Sequence, residues 1–317
     1  MPLRRDQERG SMSIGGSGDS RLSKNQRREA AREKSKALRE EHKKKERRTR
    51  FLLQGGLGAL LIAAAVVVGL VITSGVQPAG PGPLNMLSDG IKIGQGLKAV
   101  PTAALKRDAK PVASPANKSG VIDIRIYVDY QCPLCGAFET ANADQLKTWV
   151  QSGAATLEIH PIAILDALSL GTKYSTRSAN AAACVANYSP NSYFDYNALL
   201  FANQPKENSE GLTDAQLAKL ANQAKATKLD SITDCIKDQT FESWVGAATT
   251  RATSGPIAGS NVAAVRSTPT VLINGKKYLG QVNDPKAFAA AVVKADGESY
   301  TGSSSTSSPS PSPSATP

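Results

Sequence analysis

Cysteine and histidine are both scarce in this chain of 317 residues, which holds four of the first and two of the second. A structural zinc centre usually draws its thiolate and imidazole ligands from two closely spaced pairs. Here only Cys132 and Cys135 are close, while Cys184 and Cys235 stand far apart. Aromatic residues make up 5% of the chain, and none precedes Phe51. The N-terminal basic arm therefore lacks the interleaved stacking residues of a single-strand nucleic-acid surface, and no nucleic-acid partner is expected. Charge is missing altogether from residues 51–73 (FLLQGGLGALLIAAAVVVGLVIT).

That uncharged stretch of 23 residues is long enough to cross a hydrocarbon core of roughly 30 Å as a helix. A cleaved secretory signal is the competing reading, but the polar leader and the apolar run are both too long for that pattern. Residues 1–50 carry 17 Lys/Arg against 8 Asp/Glu, nine of the chain's eleven net positive charges. The basicity is local and lies on one flank. The positive-inside rule then puts residues 1–50 in the cytoplasm, near anionic lipid headgroups, and residues 74–317 outside. The expected location is the cell membrane, single-pass, with the lipid bilayer as a partner and the folded part in an oxidising compartment.

Within that exported part, Cys132-Pro133-Leu134-Cys135 sits where an apolar alternating segment (VIDIRIYVDY, residues 121–130) gives way to a helical pattern. Two cysteines separated by two residues at a helix start form a dithiol/disulfide redox site. The first sulfur faces the unpaired N–H groups and the positive end of the helix dipole, an environment that favours its thiolate. Cys184 and Cys235 are candidates for a structural disulfide, the alternative being two buried free thiols. A bridge between them would stabilise the fold by about 4 kcal/mol on the chain-entropy estimate.

Strand 121–130, the helical segment after Cys135 that stops at Gly153, and a second strand at 155–165 predict a βαβ unit with a parallel pair. Open α/β sheets place their sites at the carboxyl end of such strands. Residues 172–259 are Ala-rich and helical, with enough turn breaks for four or five short helices, and predict an inserted helical domain. The sheet resumes at Thr268 to Tyr278, where Asn274-Gly275 between apolar runs signals a hairpin. A last helix is expected from Asp284 to Lys294, ending near Gly297. The domain reading is a basic cytoplasmic tail (1–50), a transmembrane helix (51–73), a linker with a short N-terminal strand (74–118), a core in two pieces (119–171 and 260–298), the insertion (172–259), and a disordered Ser/Pro tail (299–317).

Strand, CPLC, helix, strand, helical insertion, then Ser267-Thr268-Pro269-Thr270-Val271 and a hairpin: this order resembles the DsbA-like branch of the thioredoxin superfamily, in its membrane-anchored extracytoplasmic actinobacterial form. The resemblance covers roughly Gly90 to Ala295. It implies an α/β thioredoxin-like fold with an inserted helical domain, preceded by one transmembrane helix. It implies too that Thr268-Pro269 is a cis loop beside the cysteines, with the Thr268 backbone pairing with a substrate strand. Two positions depart from the family pattern. Ile126 stands where many relatives carry a buried acid six residues before the first cysteine, and Asp129, nearer in sequence, is expected to point elsewhere. Leu134 stands where the strong oxidants carry histidine, which implies a weaker oxidant.

The reading is a membrane-tethered thiol-disulfide oxidoreductase with Cys132 and Cys135 catalytic, Thr268 and Pro269 substrate-binding, and no cofactor or metal. Its partners are the thiols of unfolded exported proteins and a membrane partner that reoxidises the pair. Electron flow in the reductase or isomerase direction is an alternative. Another is a copper-binding or assembly module using the cysteines and His160, and a third is a thioredoxin-like scaffold.

Overall fold

The computed structural model describes residues 80–304, with side chains to residue 297. The basic tail, the apolar stretch 51–73 and residues 305–317 lie outside the described residues. Among the described residues no helix is long and apolar enough to cross a membrane.

The central strand β3 (Ile122–Val128) has its first residues alternating buried and half-buried and its last three all buried. Both faces of the strand are covered, Ile124 and Ile126 lying in one cluster with Phe138 and Leu146 and Tyr127 in another with Ala252 and Val265, which is why its end is continuous in apolar residues. On one side lies β4 (Ala155–Pro161), parallel, with Ile124 opposite Leu157 and Ile126 opposite Ile159. On the other lies β5 (Thr270–Ile273), antiparallel, with Ile124 opposite Ile273. Helix α1 (Pro133–Ser152) makes the crossover, ending at Gly153. The parallel pair expected from the βαβ pattern is present.

The N-terminal hairpin β1 (Ile91–Gly94) and β2 (Lys98–Ala99) adds to β4, and β6 (Lys276–Lys277) adds to β5, giving the order β2-β1-β4-β3-β5-β6. At the turn into β6, Asn274 and Gly275 both have positive φ (48° and 76°), the geometry of a two-residue hairpin loop. A Cβ on Gly275 would meet the Gly259 carbonyl oxygen at 2.4 Å, so glycine is required there twice over.

Between β4 and β5 lie five helices: α2 (Tyr174–Tyr188), α3 (Tyr193–Ala202), α4 (Asp214–Gln223), α5 (Leu229–Lys237) and α6 (Glu242–Ser254). Small residues make α2 the axis of this layer, since Ala179, Ala181, Ala182 and Ala183 are fully buried and let neighbours approach closely. Helix α4 begins with a capping box in which Thr213 and Gln216 satisfy each other's backbone N–H. The last helix, α7 (Pro285–Ser304), docks on α1 through the edge-on contact of Phe288 with Phe138, whose ring centroids are 5.2 Å apart.

Two boundaries differ from the expectation. Helix α7 runs on to Ser304 instead of ending near Gly297. Glycine stops a helix when it turns left-handed, and Gly297 does not adopt positive φ. Residues 80–118, expected as linker apart from one strand, pack on the domain: Met86, Ile91, Ile93 and Leu105 are buried, and the Gly80 N–H donates to Ser243 Oγ. The Pro/Gly composition that reads as a spacer lets the chain lie flush here, because a Cβ on Gly82 would meet Trp244 at 2.9 Å.

Candidate active site

Cys132 is the N-cap of α1, with extended backbone (φ −75°, ψ 117°), and Pro133 opens the helix. Proline suits that position because its missing N–H would be unpaired anyway. The Cys132 carbonyl accepts from the N–H groups of Cys135 and Gly136 at 3.0 and 3.2 Å, closing the first turn over the pair. Both thiols are free. Cys132 is 7% exposed and Cys135 1%, so only the first has an edge open to a partner.

The Thr268–Pro269 peptide is cis, and the Cys132 thiol donates to the Thr268 carbonyl oxygen at 3.2 Å. The loop before β5 is thus brought against the first cysteine. The Cys135 thiol hydrogen-bonds the Cys132 sulfur and outweighs burial; with the Thr268 side chain and the N–H groups of Cys135 and Leu134 it brings Cys132 down to about 6. Burial, reinforced by the neighbouring Cys132, pushes Cys135 well above the usual thiol range. At neutral pH the first sulfur is a thiolate and the second a thiol, the division of roles that thiol–disulfide exchange needs.

Four polar residues that sequence reasoning did not single out, Gln204, Glu139, Asn197 and Ser175, lie in or bond to the segment 129–139 that carries this pair. Gln204, just after α3, donates through Nε2 to the carbonyls of Tyr130 and Cys132 at 3.0 and 2.8 Å. A Cβ on Gly136 would meet its Oε1 at 2.3 Å. Glu139 lies one turn after Cys135, half-buried, and burial pushes it up to about 7 against a hydrogen bond from Asn197. Asn197 also accepts from the buried Tyr130 hydroxyl at 3.1 Å. Ser175 donates to Asp129 at 2.7 Å. These partners lie 46 to 74 residues apart in sequence, so no local pattern marks them. Asp129 does turn its carboxylate toward the 164–165 backbone rather than toward Cys135.

Cys184 in α2 and Cys235 in α5 form a disulfide with Cα atoms 5.9 Å apart, both ends buried in the insertion. His160 sits elsewhere. It pairs in register with Tyr127 and stacks on its ring at 4.4 Å, whereas Cys132 and Cys135 pack with Ile126 and Val128 on the other face of β3. With Asp89, Arg125, Glu158 and Arg251 it lines a cavity of about 100 Å³ that neither cysteine borders. The histidine and the cysteine pair are therefore not assembled into one ligand set, and among the described residues no group of three His, Cys, Asp or Glu side chains is placed to hold a metal.

A family model described as Thioredoxin matches residues 117–294. The chain belongs to the thioredoxin family. Among solved structures it is similar to oxidised DsbA of Mycobacterium tuberculosis, with 25% identity and a TM-score of 0.50, covering 69% of this chain and all of that one. It is also similar to the reduced disulfide bond oxidoreductase DsbG of the same organism, with 29% identity and a TM-score of 0.46, covering 57% of this chain and 85% of that one. Among curated proteins it is 35% identical over 144 residues to the serine/threonine-protein kinase PknE of Mycobacterium tuberculosis. That match takes in 44% of this chain and only a quarter of the kinase's length. The fold thus places two free, closely spaced cysteines at a helix N-terminus in a thioredoxin-family chain.

Proposed function

We propose that the chain is a thiol-disulfide oxidoreductase that is tethered to the membrane, faces outward, and introduces disulfides into exported proteins through Cys132 and Cys135. The observation that carries the reading is the asymmetry of the pair: a Cys132 sulfur at a helix N-terminus, pulled down to about 6, backed by a buried Cys135 thiol held well above the usual range.

In the oxidised enzyme a client thiolate attacks Cys132 Sγ, the Cys132–Cys135 bond breaks, and Cys135 leaves as a thiolate that takes up a proton. A second client thiolate then attacks the client sulfur of the mixed disulfide, forming the client disulfide and releasing Cys132 as a thiolate. Two electrons pass from client dithiol to enzyme, and a membrane partner must remove them. The Thr268 backbone pairs with the client strand beside Pro269. Leu134, 58% exposed between the cysteines, adds no charge or hydrogen bond to the thiolate, which supports a milder oxidant than an enzyme with imidazole there. The uncharged stretch 51–73 and the basic flank before it support the anchor and its direction.

The direct test is oxidative refolding of a reduced client by the pre-oxidised protein. The wild type is expected to regenerate native client, and Cys132→Ser to be inactive. Slow oxidation combined with rapid reduction of client disulfides would assign the opposite direction. Protease accessibility in intact cells is expected to find residues 75–317 outside. Recovery as a soluble, N-terminally processed species would overturn the anchor.

A further inference from the structure

The face of the sheet turned away from the cysteines carries a buried polar cluster that thiol exchange does not use. His160, on β4, is 4% exposed and lines the cavity of about 100 Å³, yet neither ring nitrogen has a hydrogen-bond partner among the described residues. Glu158 Oε1 stands 3.6 Å from Nε2 and the Asp89 backbone lies beside the ring, neither in the geometry of a hydrogen bond. Burial holds the ring below the ordinary histidine value, so at pH 7 it is neutral, with one nitrogen a donor and the other an acceptor. Glu158 is buried too. Its Oε1 accepts from the hydroxyls of Ser88 and Ser114, while Oε2 receives no hydrogen bond among the described residues. The Tyr127 hydroxyl in the same wall is likewise without one among the described residues.

The charges of this wall cancel, two guanidiniums against two carboxylates. Arg251 grips Asp89 through Nε and Nη2 at 2.6 and 2.7 Å, and Arg125 gives its three nitrogens to Asp123 and to the carbonyls of Ala258 and Gly259. An anion would bring no donor to Glu158 or to the acceptor nitrogen of His160. An ammonium would bring no acceptor to the His160 N–H. A hydroxyl group brings both. The cavity takes about three hydroxyl-sized groups, at roughly 30 Å³ each. Beyond Ser114, Arg125 and Glu158, which line both spaces, lies a cleft of about 520 Å³ walled by the loop 115–121 and the Asn274-Gly275 turn.

We propose that this face binds a small uncharged polyhydroxyl compound, a sugar or polyol, whose neighbouring hydroxyls pair with His160, Glu158 and Tyr127 while the rest of the molecule occupies the cleft. The site is separate from the cysteine pair, which packs on the other face of β3.

The test is nuclear magnetic resonance of the full chain carrying 13C-labelled histidine, since His42 and His160 are its two histidines. Glycerol, glucose, galactose and mannose are titrated separately. At least one is expected to move the His160 ring signal saturably, with a Kd of about 1–10 mM, and to leave His42 in place. Acetate and ethylammonium at the same concentrations should move neither. Tyr127→Phe keeps the ring that stacks on His160 and loses only the hydroxyl, so it should fold and bind about two- to tenfold more weakly. A His160 signal unmoved by all four compounds, or moved by the ions alone, would overturn the proposal. So would unchanged affinity in Tyr127→Phe, or crystals soaked in the binding compound that hold water only in the cavity.

Discussion

The side-chain amide of Gln204 donates to the carbonyl of Cys132 at 2.8 Å across 72 residues of sequence, so the helical insertion holds the backbone of the cysteine loop. A second bond from the same nitrogen reaches the Tyr130 carbonyl. Gln204→Ala removes both. The Cys132 carbonyl keeps its two helical donors, so the loss of stability is expected to be modest, about 1–3 kcal/mol. The exchange rate is expected to fall further than stability alone explains, because the loop that presents the sulfur is freed. Denaturant unfolding and exchange kinetics, measured on the same preparation, check this.

The two cysteines are expected to titrate far apart. Alkylation of Cys132 in the reduced protein should rise as pH passes about 6 and level off above neutrality, since only the thiolate reacts. Cys135 should stay unreactive over that range, its thiol being buried and held well above the usual value. Peptide mapping after timed alkylation at several pH values separates the two rates.

Glu139 gives the fold a pH dependence of known sign. Its folded value, about 7, lies above the unfolded carboxylate's roughly 4.3, so the folded state binds the proton more tightly. Stability from this group is fully present below about pH 4 and is lost as pH rises toward 7. Glu139→Gln is expected to match the wild type at pH 4 and to exceed it increasingly up to pH 7, with no further change above. Denaturant midpoints across that range measure it.

The Cys184–Cys235 bridge closes a loop whose ends are 51 residues apart. Replacing both cysteines with alanine is expected to cost about 4 kcal/mol on the chain-entropy estimate. The active pair lies outside that loop, so exchange activity below the lowered melting temperature should persist. Thermal unfolding of the variant, set against its exchange rate at low temperature, tests both statements.

What could be read from the sequence was what lies close together in it. The cysteine pair, the strand before it, the proline opening the helix and the Asn274-Gly275 turn are all local patterns, each with its own geometric cause. The cis loop at Thr268–Pro269 was legible only through resemblance, because X-Pro bonds favour trans on their own. The groups that hold the cysteine loop from a distance were not legible. Gln204 reaches Cys132 over 72 residues and Ser175 reaches Asp129 over 46, and a Gln or a Ser in a helical region carries no mark of such a partner. The Pro/Gly stretch around residue 80 misled for the converse reason, since small residues serve a flexible spacer and a tightly docked segment equally well.

The most direct measurement is the trapping of client proteins by Cys135→Ser. With the Cys132 thiolate able to exchange with client disulfides and no Cys135 thiol to displace the client from it, the variant should accumulate mixed disulfides, and mass spectrometry should map every one of them to Cys132. Cys132→Ser should trap none. Mixed disulfides formed by the Cys132 variant, or equal trapping by both, would contradict the assignment of Cys132 as the sulfur that bonds to the client and Cys135 as its buried partner.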